Sequence, residues 1–82
     1  MTRAKQVRDP DDMNDNRAKW VGVAIAAFMV ETRTDEADAI CDLVADLGHW
    51  ADRHGYNFRE ELARAVQHYR EETAPGFSAV PF

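Results

Sequence analysis

The chain predicts an all-α fold: a small three-helix bundle, made of a helical hairpin plus an N-terminal helix, paired with a second copy of itself. Three observations lead there. The apolar residues lie almost wholly between Trp20 and Tyr69 and recur at helical rather than alternating spacing. Three successive segments are each bounded by residues that start or stop helices. One segment is apolar around its whole circumference, which 82 residues with a single small core can hardly cover unaided.

Residues 1–14 combine Arg3, Lys5 and Arg8 with Asp9, Pro10, Asp11 and Asp12 and hold no sustained period, which predicts a mobile arm. Asn14 or Asp15 can then cap a first helix with its body from Arg17 to about Glu31. Its β-branched residues Val21, Val23, Ile25 and Val30 leave a buried strand as the alternative, but Ala24, Ala26 and Ala27 favour the helix. Trp20, Val23, Ala27, Phe28 and Val30 are the residues expected to meet a second copy or a partner. Trp20, beside Arg17 and Lys19, is placed as an anchor.

Thr34 is the expected cap of the second helix, with Asp35, Glu36 and Asp38 in its first turn, where the helix dipole favours negative charge. Ala37, Ile40, Cys41, Val44, Leu47 and Ala51 keep the spacing of one buried face, with Leu43 and Trp50 at its edge. Gly55 supplies the left-handed position that ends this helix after Arg53 and His54. Asn57 and Glu60 have capping-box spacing for the third helix, Tyr56 is placed to staple against its first turn, and Glu60 can pair with Arg64. Its inward face is Phe58, Leu62, Ala65, Val66 and Tyr69. The helical domain thus covers residues 15–73, and residues 74–82 form an extended, proline-bounded tail.

Charge is distributed unevenly. Seven acids between Glu31 and Asp52 face Arg33 alone, a local net of −6, so the rest of the chain carries +1 of the overall −5. An acidic chain lacks the basic footprint of a protein that binds nucleic acid directly. Asp38, Asp42 and Asp46, continuing the line begun by Asp35, recur at i, i+4, i+8 and stack along one side of the second helix, rising about 6 Å per step. Successive phosphates of a nucleic-acid strand are roughly 6 to 7 Å apart, so such a row matches a basic groove shaped for nucleic acid. A solvated helix face is the plain alternative.

Catalytic signatures are sparse. Asp46 and His49 give half of the carboxylate-x-x-His arrangement of di-metal bundles, and no Cys pair, His-x-x-x-His or His-Glu-x-x-His accompanies it. His49 is therefore placed at the edge of the core, and His68 on a helix flank. Cys41 falls on the apolar face away from any basic neighbour, which predicts a buried, inert thiol, and a lone cysteine fits a reducing, cytoplasmic setting. The serines and threonines occupy caps and tails, and the aromatics are expected in the core. The longest uncharged run, Trp20 to Val30, is too short to span a bilayer, and no signal peptide is read at the N-terminus. No cofactor, metal or membrane is called for.

Over residues 42–69, about a third of the chain, Asp42-Leu43, Asp46-Leu47, His49-Trp50-Ala51-Asp52, Gly55, Phe58, Leu62, Ala65 and His68-Tyr69 resemble short helical bacterial proteins of plasmids, phages and integrated elements. That resemblance implies a helical hairpin and a mobile-element setting, and implies no activity. A fainter likeness is to all-α nucleotide pyrophosphohydrolases, which hold magnesium with paired glutamates. Their Glu-Glu-x-x-Glu is absent, since Glu60-Glu61 is followed by Leu62, Ala63 and Arg64. The expected function is a non-enzymatic interaction module that acts on a basic protein surface. The alternatives are a magnesium-dependent nucleotide hydrolase and a structural or assembly subunit.

Overall fold

A computed structural model describes residues 8–74. Three α-helices follow in order, α1 (Asn14–Thr32), α2 (Glu36–Arg53) and α3 (Phe58–Glu72), and the described residues contain no strand. The segment Trp20–Val30 is therefore helical despite its β-branched residues. A run of alanines with uniformly apolar neighbours offers no alternation for a sheet.

Helix ends are set by local hydrogen bonding, and several differ from the sequence expectation. Neither Asn14 nor Asp15 caps α1; Met13 holds the N-cap position and its side chain makes no cap hydrogen bond. Two aspartates of the preceding turn take that role, Asp9 Oδ1 accepting from the Asn14 amide at 3.1 Å and Asp11 Oδ1 from the Met13 amide at 3.2 Å. Residues 9–12, expected in the arm, thus form a turn against the helix, closed by the Asp12 amide donating to the Asp9 carbonyl. Residues 1–7 of the arm and 75–82 of the tail lie outside the described residues.

α1 stops where Arg33 takes the left-handed conformation, φ 61°, and donates its amide to the Met29 carbonyl at 2.8 Å. Thr34 does not cap α2. Its amide donates to Thr32 Oγ1 instead, and Asp35 becomes the N-cap residue without a side-chain bond. At the other end of α2 the expectation holds. Gly55 sits at φ 82°, and the Tyr56 amide reaches back to the Ala51 carbonyl at 2.9 Å, the six-to-one bond of a Schellman ending. Asn57 caps α3, its Oδ1 accepting from the Glu60 amide at 3.0 Å. Arg64 of α3 pairs with Glu61, at 3.2 Å, in place of the expected Glu60. Tyr56 does not staple onto α3, because the position it would meet is Glu61; its ring stacks on Trp50 of α2 instead.

α2 is the central element, packed against α1 on one side and α3 on the other. On α1 the half-buried residues Ile25, Phe28 and Met29 form the side turned to it. α3 approaches at Gly48, where an added Cβ would stand 3.0 Å from Cδ2 of Phe58, so only a residue without a side chain lets the ring this close. The ring of helices closes at a third point. Asn14 Nδ2 donates to the Glu72 carbonyl at 3.0 Å, and Arg17 reaches the Glu72 carboxylate at 3.4 Å. The start of the first helix therefore touches the end of the third. The molecule is a slab, 38 × 36 × 18 Å, with a radius of gyration of 14.9 Å where a compact chain of this length has about 12 Å.

Little is enclosed. The buried apolar residues are Ala39, Ala51 and Ala74, and no large side chain among the described residues is fully buried. The predicted buried face of α2 is accordingly not covered by the described residues: Ile40 is 70% exposed, Leu47 is half exposed and Cys41 is exposed. Only the small residues Ala39, Gly48 and Ala51 are buried on this helix, since they mark the crossing points with its neighbours. The core aromatics expected from spacing are likewise corrected, Trp20, Trp50, Tyr56 and Tyr69 all being more exposed than buried.

Candidate interaction surfaces

Three surfaces follow from this arrangement. The first is the outward side of α1. Trp20, Val23, Ala27 and Val30 recur at i, i+3, i+7 and i+10, which places them on one stripe along the helix. All four are exposed, Trp20 at 62%, Val23 at 74% and Val30 at 79%. Phe28, grouped with them on sequence, falls on the other side of the helix and is half-buried. No charge interrupts the stripe between Trp20 and Val30.

The second is a groove of about 450 Å³ between α2 and α3. Val44, Leu47 and Trp50 line one wall and Phe58, Leu62 and Ala65 the other, with Glu61 as the charged residue at its edge. Ring stacking flanks the groove at Trp50. Trp50 stacks on His54 at a centroid separation of 3.8 Å and on Tyr56 at 6.1 Å. His54 Nδ1 lies 2.8 Å from the Trp50 carbonyl, which can only accept, so Nδ1 carries the proton in this contact.

The third surface is acidic. Asp35, Asp38, Asp42 and Asp46 are all exposed, and none forms a salt bridge with a described residue. At 100° per residue they lie on the flank of α2 opposite Ile40, Val44 and Leu47. The helix is thus divided lengthwise, apolar toward the groove and anionic away from it. Asp42 and Asp46 do not approach Glu60 and Glu61 to make a shared site, and no three His, Cys, Asp or Glu side chains among the described residues gather to hold a metal ion. His49, expected at the edge of the core, is exposed, and so is His68.

One polar site was not legible in the sequence. Pro10, Asp11, Arg17, His68, Glu71 and Glu72 line a cleft of about 400 Å³ where the helix ends meet. Arg17 grips Asp11 with both terminal nitrogens, at 3.0 and 2.7 Å, donates to Asn14 Oδ1 at 2.7 Å and reaches Glu72. The hydrogen bond to Arg17 is the main cause that holds the Asp11 carboxyl below its ordinary value, and the same bond raises the guanidinium. Arg17 thus ties the turn before α1 and the end of α3 together, and the cluster reads as a clasp. The clue would have been Asp11 six residues ahead of Arg17, a spacing that has meaning only once the turn at residues 9–12 is known.

No helix among the described residues is long and apolar enough to cross a membrane. Compared with known proteins, the chain matches no family model, no curated protein and no solved structure.

Proposed function

We propose that this chain is a non-enzymatic protein-interaction module, a homodimer paired through α1 that presents its acidic helix to the basic groove of a nucleic-acid-handling protein. In the setting implied by the resemblance at residues 42–69, it is an accessory protein of a mobile element that blocks such a factor of its bacterial host, for instance a defence complex. The reading rests above all on the division of α2. Asp35, Asp38, Asp42 and Asp46 are exposed, without a salt bridge to a described residue, on the flank opposite Ile40, Val44 and Leu47, which leaves an acidic flank and a largely exposed apolar one for association. The row Asp38, Asp42, Asp46 repeats at about the spacing of strand phosphates. Dimerisation through apolar surfaces leaves the two acidic rows free to act.

The test is to capture partners from a bacterial lysate with the wild-type chain and with the Asp38→Lys, Asp42→Lys, Asp46→Lys triple variant, at low and at high salt. The expected partner is lost at high salt, because screening shortens the reach of exposed charges to about 10 Å or less. It is also lost by the triple variant, and it binds nucleic acid only when the wild-type chain is absent. A partner held equally by the triple variant, or one that binds this chain and nucleic acid together, removes the mimicry. A second reading, a structural or assembly subunit, draws on the exposed apolar surface alone. It predicts association that is indifferent to the three charge reversals.

A further inference from the structure

The groove between α2 and α3 and the stripe on α1 are two extended apolar surfaces left uncovered among the described residues, and we infer that each is the other's partner across a dimer. The α1 stripe of one copy lies in the α2–α3 groove of the second, reciprocally. This rests on the self-association proposed above and specifies how it is built.

Area decides between this arrangement and the simpler one in which two α1 helices pair stripe to stripe. From the exposed fractions of Trp20, Val23 and Val30, with Ala27, the stripe offers on the order of 400 Å² per copy, where a stable interface takes about 800 Å² from each partner. Stripe pairing alone therefore falls short and leaves Val44, Leu47, Trp50 and Leu62 in water. Stripe and groove together, with Ile40 beside them, offer on the order of 1,000 Å² per copy. Only the reciprocal arrangement draws on both.

Shape and symmetry agree with it. A helix read out by a groove presents anchors at i, i+3 or i+4 and i+7, and Trp20, Val23 and Ala27 have that spacing. Small Ala27 lets the helix axis approach the groove floor, and Trp20 supplies the large anchor. Because each copy donates one stripe and receives one, the pair closes about a two-fold axis and does not propagate into a filament. The acidic flank of α2, opposite the groove wall, remains outside the interface.

Cysteine cross-linking tests this directly in the full chain with its own thiol removed by Cys41→Ala. Chains carrying Ala27→Cys are mixed with chains carrying Ala65→Cys and oxidised; both positions are exposed, and the substitution adds one sulfur atom. The expected product is the mixed dimer joined through the two new cysteines, with little Ala27→Cys homodimer. A dominant Ala27→Cys homodimer overturns the groove assignment while leaving self-association standing. A chain that stays monomeric at all concentrations overturns both, and leaves the groove to residues 75–82 of the same chain or to a foreign helix. A second variant guards the result: Leu47→Asp, at a half-exposed groove position, is expected to give a monomer with unchanged helical circular dichroism. Dimerisation of Leu47→Asp at wild-type affinity contradicts the inference.

Discussion

Between Trp50 and Glu60 the chain answers its own requirements within a few residues, whereas along α1 from Trp20 to Val30 it answers almost none. In the first region Gly55 turns the backbone, the Tyr56 amide closes the end of α2, the Trp50, His54 and Tyr56 rings stack, and Asn57 opens α3. In the second, the helix is regular but one whole side of it is apolar and exposed. The difference separates two kinds of information in a sequence. Capping chemistry is local and complete within one copy. An apolar face has meaning only with respect to whatever covers it, and for the outward side of α1 that is not among the described residues.

The variant with the largest expected effect strikes the exposed side. Val23→Glu places a carboxylate at the centre of the stripe. If a second copy covers that stripe, burying the charge unpaired costs several kcal/mol, and the dimer dissociation constant rises by about 100-fold or more in sedimentation equilibrium. If α1 faces only water, the variant behaves as wild type.

Gly48→Val probes the boundary between the two regions. A Cβ there meets the Phe58 ring at 3.0 to 3.1 Å, and the branched side chain of valine forces the ring away from α2. Overpacking of this kind costs about 1–3 kcal/mol, expected as a lower urea midpoint. Asn57→Ala acts wholly inside the self-sufficient region. It removes the acceptor of the Glu60 amide and is expected to cost about 1 kcal/mol in the same measurement, with no change in association.

The smallest effect belongs to the clasp at the helix ends. Arg17 depresses the Asp11 carboxyl, so the contribution of that contact is present above the ordinary value of 3.8 and is lost as pH falls through the lowered one. Near neutral pH it is intact. Titration below pH 3.8 is expected to shift the Met13 amide resonance, since that amide donates to Asp11 Oδ1, and Asp11→Asn is expected to abolish the shift.

The legibility of the fold follows the same division. The number and order of the helices, Gly55 and Asn57 were readable because each depends on residues next to it. The caps of α1 and α2 were not, since Asp9, Asp11 and Thr32 act across a turn whose shape the sequence does not declare. The apolar face of α2 lies where the spacing puts it on the helix but not in an interior: Ile40, Cys41 and Leu47 keep the spacing of a core that the described residues do not form. Of the candidate site, the stripe of Trp20, Val23, Ala27 and Val30 and the outward acids were visible as periodicity. The groove was not, because its walls come from two helices whose approach depends on one glycine, Gly48.

The most direct measurement is sedimentation equilibrium of the wild-type chain across nanomolar to micromolar concentrations. A reversible transition to twice the chain mass is the expected result, with the dimer dominant in the micromolar range. A single chain mass throughout, with the three helices intact by circular dichroism, would contradict the claim that the uncovered surfaces of α1 and of the α2–α3 groove exist to meet a second copy.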